Sequence, residues 1–311
     1  MGLKFKSLLD MSGLDGEDIA TILDTAESLK GISRRPIKKV PTLRGRTQMN
    51  LFFEPSTRTR TSFELAGKRL SADVVNFSPA SSSLGKGETM LDTVKNIQAM
   101  APDILVVRHQ FAGAPHLIAS RLPTPVINAG DGSHAHPTQA LLDMFSVREK
   151  LGRLDGLKVV IVGDITNSRV ARSNLQGFSA MGSEVWVCGP RTLIPPGIEK
   201  MGARVSHDLD QLLPEADVIM MLRIQLERGS GERFPSLREH SIRYGLNLAR
   251  LKRTKPEVLI MHPGPINRGV EISPEVADGP RSIILDQVEN GVAVRMALLY
   301  LLCGGADETG D

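Results

Sequence analysis

The chain has 311 residues, of which 41% are hydrophobic and 23% are charged. This length predicts two domains, and the composition is typical of a globular protein with a buried core, which excludes a disordered or fibrous chain. The 38 Lys and Arg residues exceed the 35 Asp and Glu residues by three charges, which is too few to favour nucleic acid or an anionic membrane as a partner. An aromatic content of 4% also leaves few aromatic side chains on which the bases of a single-stranded nucleic acid could stack.

The cysteines and the apolar runs bear on location. Cys188 and Cys303 are far apart and follow no metal-ligand spacing, which favours a reducing compartment. Residues 1–11 contain no apolar run of signal-peptide length, and the run at 218–222 is far too short for a membrane span. We therefore expect a cytoplasmic protein without a membrane partner.

The first half of the chain alternates predicted strands and helices. Hydrophobic spacing predicts helices over 15–29, 61–70, 89–100 and 137–151, and strands over 48–53, 73–77, 104–108 and 126–128. Alternation of this kind is typical of a mostly parallel sheet flanked by helices.

The pattern restarts in the second half. It predicts helices over 169–181 and 287–303, and strands over 157–163, 184–188, 218–224, 258–261 and 282–285. The predicted fold class is therefore α/β with two domains, each built on a mostly parallel sheet. We expect the domains to cover 1–150 and 151–286, with helix 287–303 joined to the first domain, although spacing alone does not show that attachment.

The segment Ser56-Thr57-Arg58-Thr59 follows a predicted strand and opens a helix. A helix start offers free backbone N–H groups and the positive end of the helix dipole, both of which attract an anion. The hydroxyls and the guanidinium add donors suited to phosphate or carboxylate. Simple capping of the helix is the alternative, but capping needs one hydroxyl and gains nothing from Arg58.

Two histidines alternate at the start of the helix predicted over 137–151. His134 and His136 have the spacing of a metal pair, but Asp131 is the only carboxylate near them in the sequence and no Cys is near. The second interpretation is that His136 and Gln139 face a ligand, where an imidazole donates to a developing oxyanion. The third is a buried structural histidine, and the sequence leaves all three open.

The strand over 157–163 is similar to a dinucleotide-binding strand, but Gly163 is the only glycine of the usual Gly-rich fingerprint. A nicotinamide cofactor is therefore not expected. Arg169, at the start of the next helix, instead directs a cation toward the strand ends, where open α/β sheets bind their ligands.

Three further loops carry polar groups. Arg223 and Gln225 alternate at the end of a predicted strand and share one side if the chain stays extended, although each alone fits a solvated loop. Pro263 and Pro265 stiffen a turn that could expose a backbone carbonyl, as many loops without function do. The polar segment 81–88 contains one lysine, Lys86, and fits either a linker or a mobile lid.

Taken in order along nearly the whole chain, these segments resemble the aspartate/ornithine carbamoyltransferase family. The ornithine branch would be expected to carry a cysteine within the segment that matches 262–265, and none is there, so the resemblance is to the catalytic chains of the aspartate branch. The matching motifs are Ser56-Thr57-Arg58-Thr59-Arg60, Lys86-Gly87-Glu88, Arg108-His109, His136-Pro137-Thr138-Gln139, Arg169, Arg223-Ile224-Gln225 and His262-Pro263-Gly264-Pro265.

The resemblance implies roles for a subset of the matching residues. Phosphate would be bound by Ser56, Thr57, Arg58 and Thr59; the carbonyl oxygen by Thr59, Arg108 and His136; and the carbamoyl amino group by Gln139. The two carboxylates of aspartate would be bound by Lys86, Arg169, Arg223 and Gln225, and backbone carbonyls would come from Pro263 and Gly264. The resemblance further implies that Ser82 and Lys86 reach in from a neighbouring subunit, so that the site lies in the domain cleft and at the interface of a homotrimer.

The implied activity is transfer of a carbamoyl group from carbamoyl phosphate to L-aspartate, an early step of pyrimidine synthesis. Neither a metal nor a cofactor is expected, and a regulatory chain or a dihydroorotase is a possible partner. Two other functions stay open: a carbamoyltransferase for another amino acid such as ornithine, and a non-catalytic chain that keeps the fold. The first is disfavoured by Arg223, since a cationic side chain would prefer an acidic pocket; the second is disfavoured because every expected ligand residue is present.

Overall fold

The computed structural model describes residues 3–77, 89–225 and 236–303. The chain divides into two compact units, Met1–Leu141 with Glu289–Asp311 (unit 1) and Leu142–Val288 (unit 2). Both boundaries between the units fall inside helices. The first, at Leu141, lies nine residues before the expected boundary at 150, and the second, at Glu289, lies two residues after the expected start of the last helix at 287.

Unit 1 is built on a four-stranded parallel sheet with the strand order β2-β1-β3-β4. Its strands are β1 (Thr47–Phe52), β2 (Asp73–Phe77), β3 (Ile104–His109) and β4 (Val126–Asp131). Its helices are α1 (Gly16–Lys30), α2 (Thr57–Arg69), α3 (Met90–Gln98), α4 (Ala114–Arg121) and the first part of α5 (Pro137–Leu151).

The two faces of this sheet differ in chemistry because alternate residues of a strand point to opposite sides. Met49 and Leu51 of β1 pack with residues of β3 and with Val94 and Ile97 of α3. On the other face, buried Gln48 donates to Asn50 Oδ1 at 2.7 Å and to a backbone carbonyl of α2. Hydrophobic burial holds α3, whereas hydrogen bonds of side-chain amides connect β1 to α2.

Unit 2 contains a five-stranded parallel sheet with the order β7-β6-β5-β8-β9. Its strands are β5 (Lys158–Val162), β6 (Glu184–Cys188), β7 (Arg204–Ser206), β8 (Val218–Met221) and β9 (Leu259–Met261). Its helices are α6 (Arg169–Ala180), α7 (Leu209–Leu212), α8 (Leu237–Tyr244), α9 (Leu248–Leu251), α10 (Pro274–Ala277) and the start of α11 (Ile284–Cys303), with 3₁₀ turns at Arg191–Leu193, Ile198–Met201 and Leu213–Glu215. A further 3₁₀ turn, Gly31–Arg34, follows α1 in unit 1.

The strand order of unit 2 reverses between β5 and β8. Open parallel sheets bind ligands at the carboxyl ends of the strands on either side of such a reversal. The chain leaves β5 through Gly163, whose φ of +127° lies in the region that favours glycine, and a Cβ there would lie 2.6 Å from the carbonyl oxygen of Leu222. Glycine at this position lets the loops after β5 and β8 run side by side.

Most predicted elements are present, and three differ. The helix expected from residue 61 starts at Thr57, so it directly follows the Ser56 turn. The strand expected over 218–224 ends at Met221. The strand expected over 282–285 is wrong: Ser282 makes an isolated bridge to Ile260, and α11 begins at Ile284, because a short apolar run does not distinguish a strand from a buried helix start.

The sequence analysis also missed several short elements, namely α4, α7, α8, α9, α10 and β7. In the part of the chain that the structure describes, none of the helices combines the length and the apolar character that crossing a membrane requires.

His240 of α8 is a buried titratable group in unit 2. Its ring lies 5.4 Å from the ring of Tyr244, and it borders a cavity of about 250 Å³ that Arg191 and Arg243 also line. Burial lowers the pKa of His240 to about 4, against an opposing effect of Glu271 and Asp164. The imidazole is therefore neutral in the folded protein at pH 7.

This pKa predicts an acid-sensitive unit 2. Below pH 6.5 the unfolded chain binds a proton at His240 that the folded chain does not bind until about pH 4, so stability falls as the pH is lowered through this window. The loss should reach about 1.4 kcal/mol per pH unit. Urea unfolding followed by the single tryptophan, Trp186 of β6, should show this slope in the wild type and a smaller one in His240→Phe. Equal slopes would contradict the assignment.

Candidate active site

The carboxyl ends of β1, β3 and β4 lie side by side at one edge of the unit 1 sheet. Phe52 pairs in register with Arg108, and His109 pairs with Asp131. Beyond the strands, the N–H of Phe53 donates to the carbonyl oxygen of Arg108 at 2.8 Å. The loops of unit 1 that carry the residues predicted to bind the phosphate and the carbonyl oxygen therefore leave the same sheet edge.

The turn after β1 delivers Ser56 as the residue that precedes α2, in extended backbone conformation. The capping alternative requires the Ser56 side chain to accept a first-turn N–H, and the described structure contains no such hydrogen bond. Thr57 and Arg58 are exposed, Ser56 is half-buried and Thr59 is buried. This geometry leaves the Ser56 hydroxyl and the helix start suited to an anion.

Arg108 is the second-last residue of β3, and two groups direct its guanidinium. One terminal nitrogen donates to Glu54 Oε1 at 2.7 Å, and the other donates to the carbonyl oxygen of Ala129 at 3.1 Å. Only 10% of the Arg108 side chain is exposed. The sequence analysis assigned no role to Glu54; a carboxylate two residues before the hydroxyl-rich segment was the available signal.

His109, the next residue, closes the apolar side of this edge. Its ring lies 5.2 Å from the ring of Phe53 and 5.3 Å from that of Phe111. Nδ1 accepts the N–H of Phe111 at 3.0 Å, and burial lowers the pKa of the imidazole. His109 is thus a neutral, hydrogen-bonded side chain that packs between two aromatic rings next to Arg108 in the sequence.

His136 lies at the head of α5, as the sequence predicts. The ring is buried, and the carbonyl oxygen of His136 accepts the N–H groups of Gln139 and Ala140. The Thr138 hydroxyl lies 3.5 Å from Nδ1. Gln139, one turn into the helix, is half-buried. The geometry brings His136 to the same edge as Arg108, at the end of the turn that follows β4.

In unit 2, Arg169 opens α6 after the loop that follows β5. The preceding residue, Ser168, caps this helix by accepting the N–H of Ala171 at 3.0 Å, and the Arg169 side chain is buried. Arg223 and Gln225 follow β8, the strand beside β5, and both are half-buried. These three residues, which are predicted to bind aspartate, therefore come from neighbouring loops at the strand-order reversal.

Asp164 joins the two loops of unit 2. This fully buried carboxylate accepts hydrogen bonds from the backbone and side chain of Asn167, and from the backbone N–H of Gln225 at 3.3 Å. The side-chain amide of Gln225 in turn donates to the carbonyl oxygen of Asn167 at 3.2 Å. Asp164 and Asn167 are positioning residues that the sequence analysis missed, because the contact to residue 225 is visible only in three dimensions.

A buried histidine and carboxylate support the turn after β9. The N–H of Gly264 donates to His262 Nδ1 at 2.8 Å, so the proton of this neutral ring lies on Nε2, which is 3.0 Å from Glu271 Oε1. The same carboxylate oxygen accepts the N–H of Asn267 at 2.6 Å. The backbone that presents the carbonyls of Pro263 and Gly264 is thereby fixed at both ends.

Two predicted residues lie outside the described part of the chain: Ser82 and Lys86.

Comparison with known proteins matches each half of the chain to a domain of one family. Residues 6–149 match the model of the aspartate/ornithine carbamoyltransferase carbamoyl-P binding domain, and residues 155–302 match that of the Asp/Orn binding domain. The chain belongs to the aspartate/ornithine carbamoyltransferase family. Within this family it is 60% identical, over all 311 residues of both chains, to the aspartate carbamoyltransferase catalytic subunit of Desulfosudis oleivorans.

Solved structures of the carbamoyltransferase family share the fold. Aspartate transcarbamoylase from Trypanosoma cruzi, in complex with carbamoyl phosphate and aspartate, matches with a TM-score of 0.87 and 31% identity, covering 96% of this chain and 97% of that one. Ornithine carbamoyltransferase from Pyrococcus furiosus matches with the same TM-score and 30% identity, covering 99% and 100%. The fold alone therefore does not separate the two branches of the family.

The turn after β9 gives a testable prediction. Glu271→Gln replaces a buried oxygen acceptor with an amide whose N–H groups need new partners, which should lower the free energy of unfolding by about 2 kcal/mol. Urea unfolding monitored by Trp186 measures this loss, and the exposed Glu275→Gln serves as the matched control. Equal stability of the two variants would show that the His262–Glu271 contact does not hold the turn.

Proposed function

We propose that this chain is an aspartate carbamoyltransferase. It transfers the carbamoyl group of carbamoyl phosphate to the amino group of L-aspartate, giving N-carbamoyl-L-aspartate and phosphate, an early step of pyrimidine synthesis. The identity of 60% over the full length to an aspartate carbamoyltransferase catalytic subunit supports the aspartate branch. The T. cruzi enzyme of similar fold binds the same two substrates.

The observation that carries the proposal is the common edge of β1, β3 and β4. It gathers an uncapped helix start, the oriented guanidinium of Arg108 and the buried imidazole of His136. The phosphate of carbamoyl phosphate needs a cationic, N–H-rich site, and its carbonyl oxygen needs donors that strengthen as negative charge develops. Unit 1 offers both kinds of group.

The chemistry requires no group beyond these donors. The neutral amine of aspartate attacks the carbamoyl carbon, forming a C–N bond and placing negative charge on the carbonyl oxygen. The C–O bond to phosphate then breaks, and the departing phosphate takes the proton of the amine. The residues of the chain thus act by positioning the reactants and by stabilising charge.

In the proposed roles, Ser56, Thr57 and Thr59 donate to the phosphate, and Arg58 supplies a bidentate cationic contact. Thr59, Arg108 and His136 stabilise the oxyanion, and Gln139 accepts from the carbamoyl amino group. Glu54 acts through Arg108, because its ion pair with one terminal nitrogen fixes the orientation of the whole guanidinium group.

In unit 2, Arg169, Arg223 and Gln225 would bind the two carboxylates of aspartate. Asp164 keeps the Gln225 loop beside the Arg169 loop, so that the donors are in place before the substrate binds. The carbonyl groups of Pro263 and Gly264 would accept hydrogen bonds from amino groups of the substrates.

A product assay tests the function directly. Purified protein is incubated with carbamoyl phosphate and either aspartate or ornithine, and the products are separated and quantified. We expect N-carbamoyl-L-aspartate only. The second candidate, an ornithine enzyme, is kept because of the equally similar P. furiosus fold, and citrulline as the main product would establish it instead. No product with either amine would favour a non-catalytic chain.

The proposal includes a homotrimer in which Ser82 and Lys86 complete the site of a neighbouring subunit. Support comes from the sheet edge that leads into this segment. The edge strand β2 ends at Phe77, its Val75 is 45% exposed, and Leu65 of the adjacent helix α2 is 41% exposed. An exposed edge strand with apolar side chains is typical of a surface that another chain covers.

The cellular setting and further partners are also part of the proposal. Both cysteines are free thiols and are buried, which agrees with a cytoplasmic location. A regulatory chain or a dihydroorotase would bind to the assembled trimer.

A substitution in the phosphate segment tests its role. Arg58→Ala removes a bidentate cation from a dianion, so kcat/KM should fall by about 100-fold or more, equivalent to roughly 3 kcal/mol of transition-state stabilisation. Arg60→Ala, which removes an exposed arginine two residues later on the same helix, is the matched control and should stay near wild type. A loss of activity as small as that of Arg60→Ala would remove Arg58 from the site.

Complementation between two inactive variants tests the shared site. Lys86→Ala and Arg58→Ala chains are each expected to be nearly inactive alone. Random reassembly of an equal mixture pairs an intact phosphate segment with an intact Lys86 at about one interface in four of all trimers, so activity should recover to about a quarter of wild type. If hybrid trimers form, as mass spectrometry can verify, and no activity returns, Lys86 does not act in the neighbouring subunit.

A further inference from the structure

Beyond the proposed reaction, three side chains of unit 1 form a cluster that has the chemistry of a metal site. His116 of α4, Asp131 at the end of β4 and His134 in the turn after β4 each offer one ligand atom, and these atoms all lie within 4.8 Å of one another. The rings of the two histidines are in edge-to-face contact, with centroids 5.4 Å apart. His134, rather than His136, is thus the member of the alternating pair that has a possible metal ligand set.

The orientation of His116 is the second observation. Its Nε2 lies 2.8 Å from Asp10 Oδ2, so the carboxylate holds the proton on Nε2 and leaves the lone pair on Nδ1. That Nδ1 atom is buried, and it has no hydrogen-bond partner among the residues that the structure describes. A histidine that donates to a carboxylate through one nitrogen and offers the other is the usual arrangement of a metal ligand.

Asp131 is held as a ligand would be. Its carboxylate is fully buried, and it accepts the N–H groups of Gly113 at 2.7 Å and Ala135 at 3.0 Å. His134 Nδ1 lies 3.0 Å from Asp131 Oδ2, a contact that needs a proton between the two atoms. A cation can take the place of that proton.

We propose that His116, Asp131 and His134 bind a divalent transition-metal ion such as Zn²⁺. Two imidazoles and one carboxylate are a common protein ligand set for zinc, with the fourth position of the tetrahedron left to water. Zinc bonds of about 2.0–2.2 Å require the ligand atoms to draw closer together. The histidine side chains, which are 38% and 42% exposed, have room to rotate.

The bound ion would join α4 to the turn between β4 and α5. It would stabilise unit 1 without taking part in the transfer reaction, since none of its ligands is a residue proposed to touch a substrate. The test therefore measures metal binding and does not depend on the proposed function.

The experiment uses the full chain, stripped of metal with EDTA, dialysed and titrated with ZnCl₂ by calorimetry, with metal content measured after gel filtration. We expect one zinc per chain in the wild type and none retained in His116→Asn or His134→Asn. His207→Asn removes a histidine of unit 2 and is the matched control that should keep one zinc. Absence of binding to the wild type, or retention of zinc by both cluster variants, would overturn the proposal.

A conservative variant separates a metal site from a merely structural cluster. In Asp10→Asn, the side chain keeps its size and presents a polar group to each of its partners, Ser12 and His116, but the charge that strengthens His116 as a ligand is lost. Zinc affinity should fall by about 10- to 100-fold, as is typical for a carboxylate behind a metal-binding histidine. Zinc should also raise the melting temperature of the wild type and not that of His116→Asn. Unchanged affinity in Asp10→Asn would contradict the proposed role of His116.

Discussion

The candidate site depends on one kind of interaction, in which a carboxylate accepts hydrogen bonds from the loops and side chains around it. Glu54 pairs with Arg108 at the edge of the unit 1 sheet. Asp164 accepts hydrogen bonds from the two loops of unit 2 that carry the candidate aspartate-binding residues. Glu271 does the same for the turn after β9. Each carboxylate also satisfies backbone N–H groups or cations that would otherwise be buried without partners, so the loops keep one conformation. The candidate site depends on this arrangement.

The same arrangement explains why a carbamoyl transfer needs so little from the chain. Carbamoyl phosphate contains its own leaving group and its own acceptor for the proton, so the protein has to supply orientation and stabilisation of charge. Donors that are fixed in advance act on the transition state without reorganising, which is the largest contribution that such a site can make. Asn167, Glu54 and Glu271 contribute by holding the donors, although none of them is proposed to touch a substrate.

Much of the fold follows from local patterns. Strong periodicity located α5 at Pro137–Leu151 and β6 at Glu184–Cys188, with the bounds that the structure shows. The predicted strand at 282–285 failed because burial in a helix start and burial in a strand give the same apolar run. The motif residues could be found because hydroxyls and an arginine at a helix start have few purely structural reasons to occur together.

The supporting residues could not be found in this way. The contact of Asp164 with residue 225, and that of Glu54 with Arg108, join positions that are more than fifty residues apart, and no local signal reports such distances. The metal cluster shows the same limit. The sequence shows Asp131 and His134 close together, but only the fold adds His116, whose Nδ1 has no hydrogen-bond partner among the described residues.

The proposed function requires residues of unit 1 and of unit 2 to act on the same pair of substrates. N-(phosphonacetyl)-L-aspartic acid, the ligand of a T. cruzi aspartate transcarbamoylase complex, joins the features of both substrates in one molecule. Calorimetric titration should show tight binding to the wild type, and binding weakened by about tenfold or more both in Arg58→Ala of unit 1 and in Arg223→Ala of unit 2. Full affinity in either variant would contradict the account, because one of the two units would then contribute nothing to the bound ligand.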